Sequence, residues 1–198
     1  MDRLIVMGES SMLNIVLVIN KSDLDYKSQI RDWKQLYEDT GYNVFVTSAV
    51  NGNGIKDLKR HLAGKINLFF GQSGVGKSSL LNVMYPELEL KTGEISRFNE
   101  KGTHTTVTSI MIKTEKDTFT IDTPGIREIM PYGLKKEDLG HYFIDFLSYI
   151  NNCKFNTCTH FHEPGCAIIN AVENGNLSLY RYESYLRILE TIEEEKLY

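Results

Sequence analysis

An α/β fold with a mostly parallel sheet, followed by a small helical metal-binding segment, is predicted by three features of this sequence. Continuous apolar runs alternate with helix-period segments as far as about residue 134. Loops carrying glycine, Asn, Asp and Thr follow those runs, where parallel sheets bind ligands. A tight group of Cys and His then occupies residues 153–166.

The elements follow in order. "IVLVIN" (15–20) is an unbroken apolar run, as in a strand buried on both faces. "SQIRDWKQLYEDTG" (28–41) carries Ile30, Trp33, Leu36 and Tyr37 at helical spacing and closes on Gly41. "YNVFVTSA" (42–49) is the next strand. "GIKDLKRHLAG" (54–64) is a short helix with Ile55, Leu58 and Leu62 inward. "KINLFFG" (65–71) is a strand ending in glycine, and "KSSLLNVMY" (77–85) is the helix after it. "VTSIMIK" (107–113) and "DTFTIDTPG" (117–125) form an adjacent strand pair. Beyond residue 134, "KKEDLGHYFIDFLSYI" (135–150) and "LSLYRYESYLRILETIEEEKLY" (177–198) read as helices, with the Cys/His loop between them.

The 198 residues suffice for one medium domain or a domain with a small appendage. Hydrophobic residues at 41% and charged residues at 24% suit a globular chain with an ordinary core. A formal charge of −4 excludes a chain that coats nucleic acid by charge alone, while local basic patches stay open. No apolar run approaches ~20 residues, so no membrane partner is expected. The start shows no signal peptide. Three clustered cysteines argue for metal or structural use in a reducing compartment, and the expected location is the cytoplasm.

Gly71, Gln72, Ser73, Gly74, Val75, Gly76, Lys77 and Ser78 match G-x-x-x-x-G-K-[ST] in full, between a strand and a helix, and Ser79 adjoins them. Glycines let backbone N–H groups curl toward an anion without Cβ clashes. The helix N-terminus adds partial positive charge. Lys77 can bridge the β- and γ-phosphates, and the Ser78 hydroxyl can ligate Mg²⁺.

Asn20-Lys-Ser-Asp23 follows the first apolar strand. The Asp23 carboxylate can accept from both N1–H and the exocyclic amine of guanine. Adenine lacks that donor pair and would leave the charge unpaired. The Lys21 stem can lie over the ring, and Asn20 can tie this loop to the phosphate loop. Ser48 and Ala49, in "TSA", end the next strand, where a backbone N–H can meet the guanine oxygen. Asp122-Thr-Pro-Gly125 closes the "FTI" strand. Asp122 can hold Mg²⁺ through water, and the Gly125 N–H can meet the γ-phosphate. Thr105 or Thr106, in "KGTHTTVTS", can reach Mg²⁺ from a loop that orders with the γ-phosphate.

These elements run NKSD, TSA, GQSGVGKS, THTT, DTPG. Cutting an ordinary GTPase after its DxxG region and rejoining the ends produces that order. Domain termini often lie close together, so the permutation is sterically cheap. On "NKSDL", "GQSGVGKSSLLN", "GTHTT", "IDTPG" and "CKFNTCTHFHEPGCAI", the chain resembles the circularly permuted GTPases of the ribosome small-subunit biogenesis family RsgA, also called YjeQ or EngC. The resemblance covers essentially the whole chain. It implies a circularly permuted P-loop GTPase domain over residues 1–134 and a helical zinc-binding domain over 135–198. It further implies a GTPase in late maturation of the small ribosomal subunit, stimulated by the ribosome, with GTP/GDP, the subunit and its rRNA as partners; the expected state is a monomer. Family members carry an N-terminal OB-fold and then a first sheet strand. This chain opens on "MDRLIVMGES", which resembles the helix just before the base-reading strand. The expectation is a chain lacking the OB-fold, with an incomplete sheet.

Ile126 stands directly after DxxG, where many GTPases place a water-orienting Gln. By the resemblance, His104 takes the catalytic part, beside Lys77. A neutral imidazole near the γ-phosphate can orient water or accept its proton. Intrinsic hydrolysis is expected to be slow, with a ribosomal partner ordering the loop.

Cys153-x4-Cys158-x-His160-x5-Cys166 offers four ligands within 14 residues, a common closed set for one structural Zn²⁺. His162 is a rival ligand, and the family motif favours His160. A reading from another class is a nucleotide-switched RNA- or ribosome-binding module with incidental turnover. Lys135, Lys136, Lys154, Arg181 and Arg187 permit it, and the acidic "EEE" near the end opposes it. A P-loop ATPase is a third reading, against which Asp23 weighs.

Overall fold

A computed structural model describes residues 1–25, 29–90, 110–122 and 133–192, apart from the side chains of Ile110 and Asp122. The chain divides into two compact units. One comprises Val16–Gln35 and Asn43–Ile129, the other Met1–Ile15, Leu36–Tyr42 and Met130–Tyr198. The first helix and the Leu36–Tyr42 segment group with the C-terminal residues, because they bury their side chains there.

In the first unit, β1 (Val16–Ile19) pairs in parallel with β2 (Asn43–Val46), with Val16 opposite Asn43 and Ile19 opposite Val46. β3 (Ile66–Phe69) pairs in parallel with β5 (Thr118–Asp122), which pairs antiparallel with β4 (Ile110–Glu115). The described strands therefore form two sheets, of two and three strands, rather than one. β1 is less buried than its apolar run predicts. Leu17 is buried, whereas Val16, Val18 and Ile19 are half-buried. The reason is that β1 has a partner strand on one edge only among the described residues. The helices α3 (Ile55–Leu62) and α4 (Lys77–Met84) supply the core, with Leu58 and Leu81 fully buried. Gly54 opens α3 in the left-handed region, and a Cβ there would stand 2.1 Å from the Val46 carbonyl oxygen. The helix α2 (Gln29–Asp39) carries Ile30 and Trp33 half-buried in this unit.

The second unit opens with α1 (Asp2–Ser10), whose Ile5 and Val6 are buried. Val6 packs with Leu139, Phe143, Phe146, Tyr185 and Ile188 in one core. Residues 135–150, expected as a helix, form the 3-10 turns Leu139–Tyr142 and Ile144–Phe146 and a single α turn, α5 (Leu147–Ile150). Phe143 is extended between them, which interrupts the helical hydrogen bonds. The helices α6 (Ala167–Glu173) and α7 (Leu179–Leu189) complete the unit.

Arg181 of α7, one of the basic residues that permit the RNA-binding alternative, is buried. Its Nη1 donates to Asp2 Oδ1, while Nε and Nη2 donate to Asp145 at 3.2 and 2.8 Å. The Tyr37 hydroxyl donates to the same Asp2 oxygen at 3.1 Å. The Phe143 ring lies 4.6 Å from the guanidinium. Two carboxylates and an aromatic face hold this cation, so it is not available to a polyanion. Among the described residues, no helix is long and apolar enough to cross a membrane.

Candidate functional site

The phosphate-type loop joins β3 to α4. Gly74 and Gly76 take φ of +81° and +96°, conformations that glycine adopts without Cβ strain. The loop residues Gln72, Ser73, Gly74 and Val75 are exposed, and Ser78 and Ser79 are half-buried in the first turn of α4. The Lys77 ammonium donates to the carbonyls of Gly71 (2.7 Å) and Gln72 (3.1 Å), so it lies over the loop. Loop N–H groups at a helix start, beside an ammonium, are groups with which a polyphosphate can be held.

The loop after β1 meets this loop. Asn20 Nδ2 donates to the Val75 carbonyl at 3.0 Å, and Lys21 Nζ donates to the Gly74 carbonyl at 2.7 Å. The contact is close enough to specify glycine, because a Cβ on Gly76 would stand 2.3 Å from Asn20 Nδ2. Lys21 itself has φ of +66°, which turns the chain into the 3-10 segment Ser22–Leu24 that carries Asp23. The loop after β2 backs both. The Thr47 hydroxyl donates to Asn20 Oδ1 at 3.2 Å, and the Ser22 N–H donates to the Thr47 carbonyl at 3.0 Å. The buried Ser48 hydroxyl donates to Asp23 Oδ1 and accepts from the N–H groups of Val50 and Asn51. The Ser48 N–H is bonded to the Asn53 carbonyl at 3.0 Å. Of the Ser48–Ala49 pair, that leaves Ala49 as the backbone donor without a partner among the described residues.

The Asp122 backbone lies opposite Phe69, at the strand end from which the phosphate-type loop departs. His104, Thr105, Thr106 and Gly125 lie outside the described residues. Thr47 is a connector that motif reading missed. Its only sequence signal is its place inside "TSA".

The second unit carries a separate constellation. Cys153, Cys158, His160 and Cys166 present four potential donor atoms, all within 4.8 Å of one another. His160 Nδ1 lies 3.6 Å from Cys153 Sγ and 3.4 Å from Cys166 Sγ, and the two sulfurs are 4.0 Å apart. Tetrahedral ligands about 2.0–2.3 Å from one ion would be separated by roughly 3.3–3.8 Å. The donor set and its spacing therefore fit zinc. His162 is exposed and outside the group. The Cys153 sulfur accepts from the Ala167 N–H at 3.4 Å, a bond that fixes its position in the group. Burial pushes the Cys158 thiol up to about 12. Burial also lowers the His160 imidazole, which keeps it neutral and able to ligate. A dication taken up here would displace thiol protons.

Comparison with known proteins gives a consistent result. A sequence model of the family described as RsgA GTPase matches residues 1–131. A curated protein of Chlorobaculum parvum named small ribosomal subunit biogenesis GTPase RsgA is 41% identical, over 98% of this chain and 62% of its own length. One of Bacteroides thetaiotaomicron, named small ribosomal subunit biogenesis GTPase RsgA 2, is 43% identical over 98% of this chain and 64% of its own. The crystal structure of YjeQ from Thermotoga maritima superposes with a TM-score of 0.81 at 36% identity, covering 96% of this chain and 63% of that one. YloQ, described as a circularly permuted GTPase, superposes at 0.76 with 32% identity, covering all of this chain and 63% of that one. The chain thus spans just over three fifths of the length of the relatives it matches.

Proposed function

This chain belongs to the RsgA GTPase family, and from that premise we propose that it binds and hydrolyses GTP in late maturation of the small ribosomal subunit. One observation carries the nucleotide part. Asn20 and Lys21 hydrogen-bond the carbonyls of Val75 and Gly74, so the base-reading and phosphate loops form one site despite their inverted order. In this reading Asp23 accepts from guanine, the Ala49 N–H meets its oxygen, and the loop 71–76 with Lys77 holds the phosphates. Mg²⁺, held by Ser78 and by Thr105 or Thr106, would neutralise charge on the β- and γ-phosphates. His104 orients the attacking water. One structural zinc ion, bound by Cys153, Cys158, His160 and Cys166, staples the helical unit. The small ribosomal subunit and its rRNA are the partners, and the chain acts as a cytoplasmic monomer.

The test is GTP hydrolysis by this 198-residue chain, with and without small ribosomal subunits, and with ATP as competitor. Stimulation by subunits that His104→Ala abolishes is the expected result. Equal competition by ATP would remove the role given to Asp23. GTP binding without stimulated turnover would favour a nucleotide-switched binding module over an enzyme.

A further inference from the structure

The metal ligand His160 occupies a backbone conformation that its own side chain does not favour, with φ of +55°. A residue with a Cβ enters the left-handed region at a cost, and something beside it must offset that cost. Here it is a carboxylate three residues on. Glu163 Oε1 accepts from the Thr159 N–H and the Thr159 hydroxyl, both at 2.6 Å. Its Oε2 accepts from the N–H groups of Phe161 and His162, at 3.0 and 3.2 Å. Four donors thus converge on one side chain from both sides of His160. Backbone N–H groups gathered in this way form a concave anion site, filled from within the same loop.

The opposite side of the loop is fixed by α7. The Tyr185 hydroxyl donates to the Thr159 carbonyl at 2.7 Å, and the Tyr182 hydroxyl donates to the His160 carbonyl at 2.8 Å. Both peptide groups flanking the His160 turn are therefore held. The ring has little room to swing. A Cβ on Gly140 would stand 2.8 Å from His160 Nε2, and the Phe146 ring meets the imidazole edge-to-face at 6.2 Å. Turn and ring together direct Nδ1 at Cys153 and Cys166.

We infer that Glu163 is a positioning residue for the metal: its carboxylate holds the left-handed turn at His160 and so delivers Nδ1 to the three sulfurs. The inference rests on the metal-site reading given above. It also accounts for the choice between the two histidines of "HFH". The same carboxylate that turns His160 inward binds the His162 N–H, and the His162 side chain is exposed.

The test compares the full chain with Glu163→Ala and Glu163→Gln. Zinc affinity is measured by competition with a chromophoric chelator. Cobalt(II) loading reports the ligand set through its d–d bands, and near-UV circular dichroism of the zinc-saturated chains reports the fold. Supporting residues of this kind typically change metal affinity by roughly 10–100-fold. Glu163→Ala is expected to lose zinc affinity in that range and to show altered d–d bands at saturating cobalt, with the near-UV spectrum retained. Glu163→Gln keeps one accepting oxygen and is expected to fall between. A change in folding alone would leave the cobalt spectrum of the loaded protein as in the wild type. Equal affinity and an identical cobalt spectrum in Glu163→Ala would overturn the role of Glu163 while leaving the metal site standing. A wild-type chain that takes up neither ion would overturn the metal reading and this inference with it.

Discussion

Ser48 donates its hydroxyl hydrogen to Asp23 Oδ1 while accepting the N–H groups of Val50 and Asn51. The hydroxyl is thereby fixed from two sides, and it holds one oxygen of the carboxylate assigned to guanine. A hydrogen bond to a charged group contributes about 1.5–3 kcal/mol, and Asp23 is exposed, which favours the lower end. Ser48→Ala is therefore expected to weaken GDP binding by about tenfold and to narrow the preference for guanine over adenine. Titration with a fluorescent GDP analogue checks this. Unchanged affinity would mean that Asp23 is oriented without Ser48.

Gly76→Ala places a methyl group 2.3 Å from Asn20 Nδ2, at a φ of +96°. Strain of this kind costs about 1–3 kcal/mol, before the loss of the Asn20 bond to Val75. The expected outcome is a lower melting temperature and a loss of GDP affinity of more than tenfold. A variant with both quantities unchanged would show that the two loops can separate without harm to the site.

The buried Arg181 stands between the buried Asp2 and the half-buried Asp145. Removing one partner from a buried ion-pair network leaves uncompensated charge and costs about 3–5 kcal/mol. Arg181→Met should lower the urea unfolding midpoint accordingly. Arg181→Lys should restore little, since an ammonium cannot offer the forked contact to Asp145. The triple variant Asp2→Asn, Asp145→Asn, Arg181→Met should recover part of the loss, because no buried charge then lacks a partner. Stability equal to wild type in Arg181→Met would contradict this reading.

Metal removal should disturb α7 through its tyrosines. Tyr182 and Tyr185 are anchored to the carbonyls of His160 and Thr159, inside the ligand loop. A strong chelator is expected to reduce the near-UV tyrosine signal and the melting temperature of this chain, and added zinc should restore both. Cys166→Ser should behave like the chelated protein. A chelator without effect on a chain that carries zinc would separate the metal from the fold of this unit.

The motifs were legible in the sequence because their chemistry is local. Residues 71–78 need glycines, a lysine and a hydroxyl in one turn, and that turn alone curls N–H groups toward an anion. The pattern Ile55, Leu58, Leu62 identified the buried face of α3 for the same reason, since helical period is a property of neighbours. The grouping of four candidate metal donors was legible from spacing and family motif within 14 residues. What tertiary structure alone decided depends on segments far apart in the chain. Asn20 and Lys21 reach carbonyls 55 and 53 residues away. Arg181 reads as a surface cation until Asp2, 179 residues distant, closes on it. The apolar run 15–20 predicted full burial, but burial of a strand depends on which strands flank it, and β1 has one partner among the described residues. Local sequence sets backbone preference and the inventory of donors and acceptors. Which donor meets which acceptor is set by packing between distant segments, where a single contact decides whether a charge is solvated or buried.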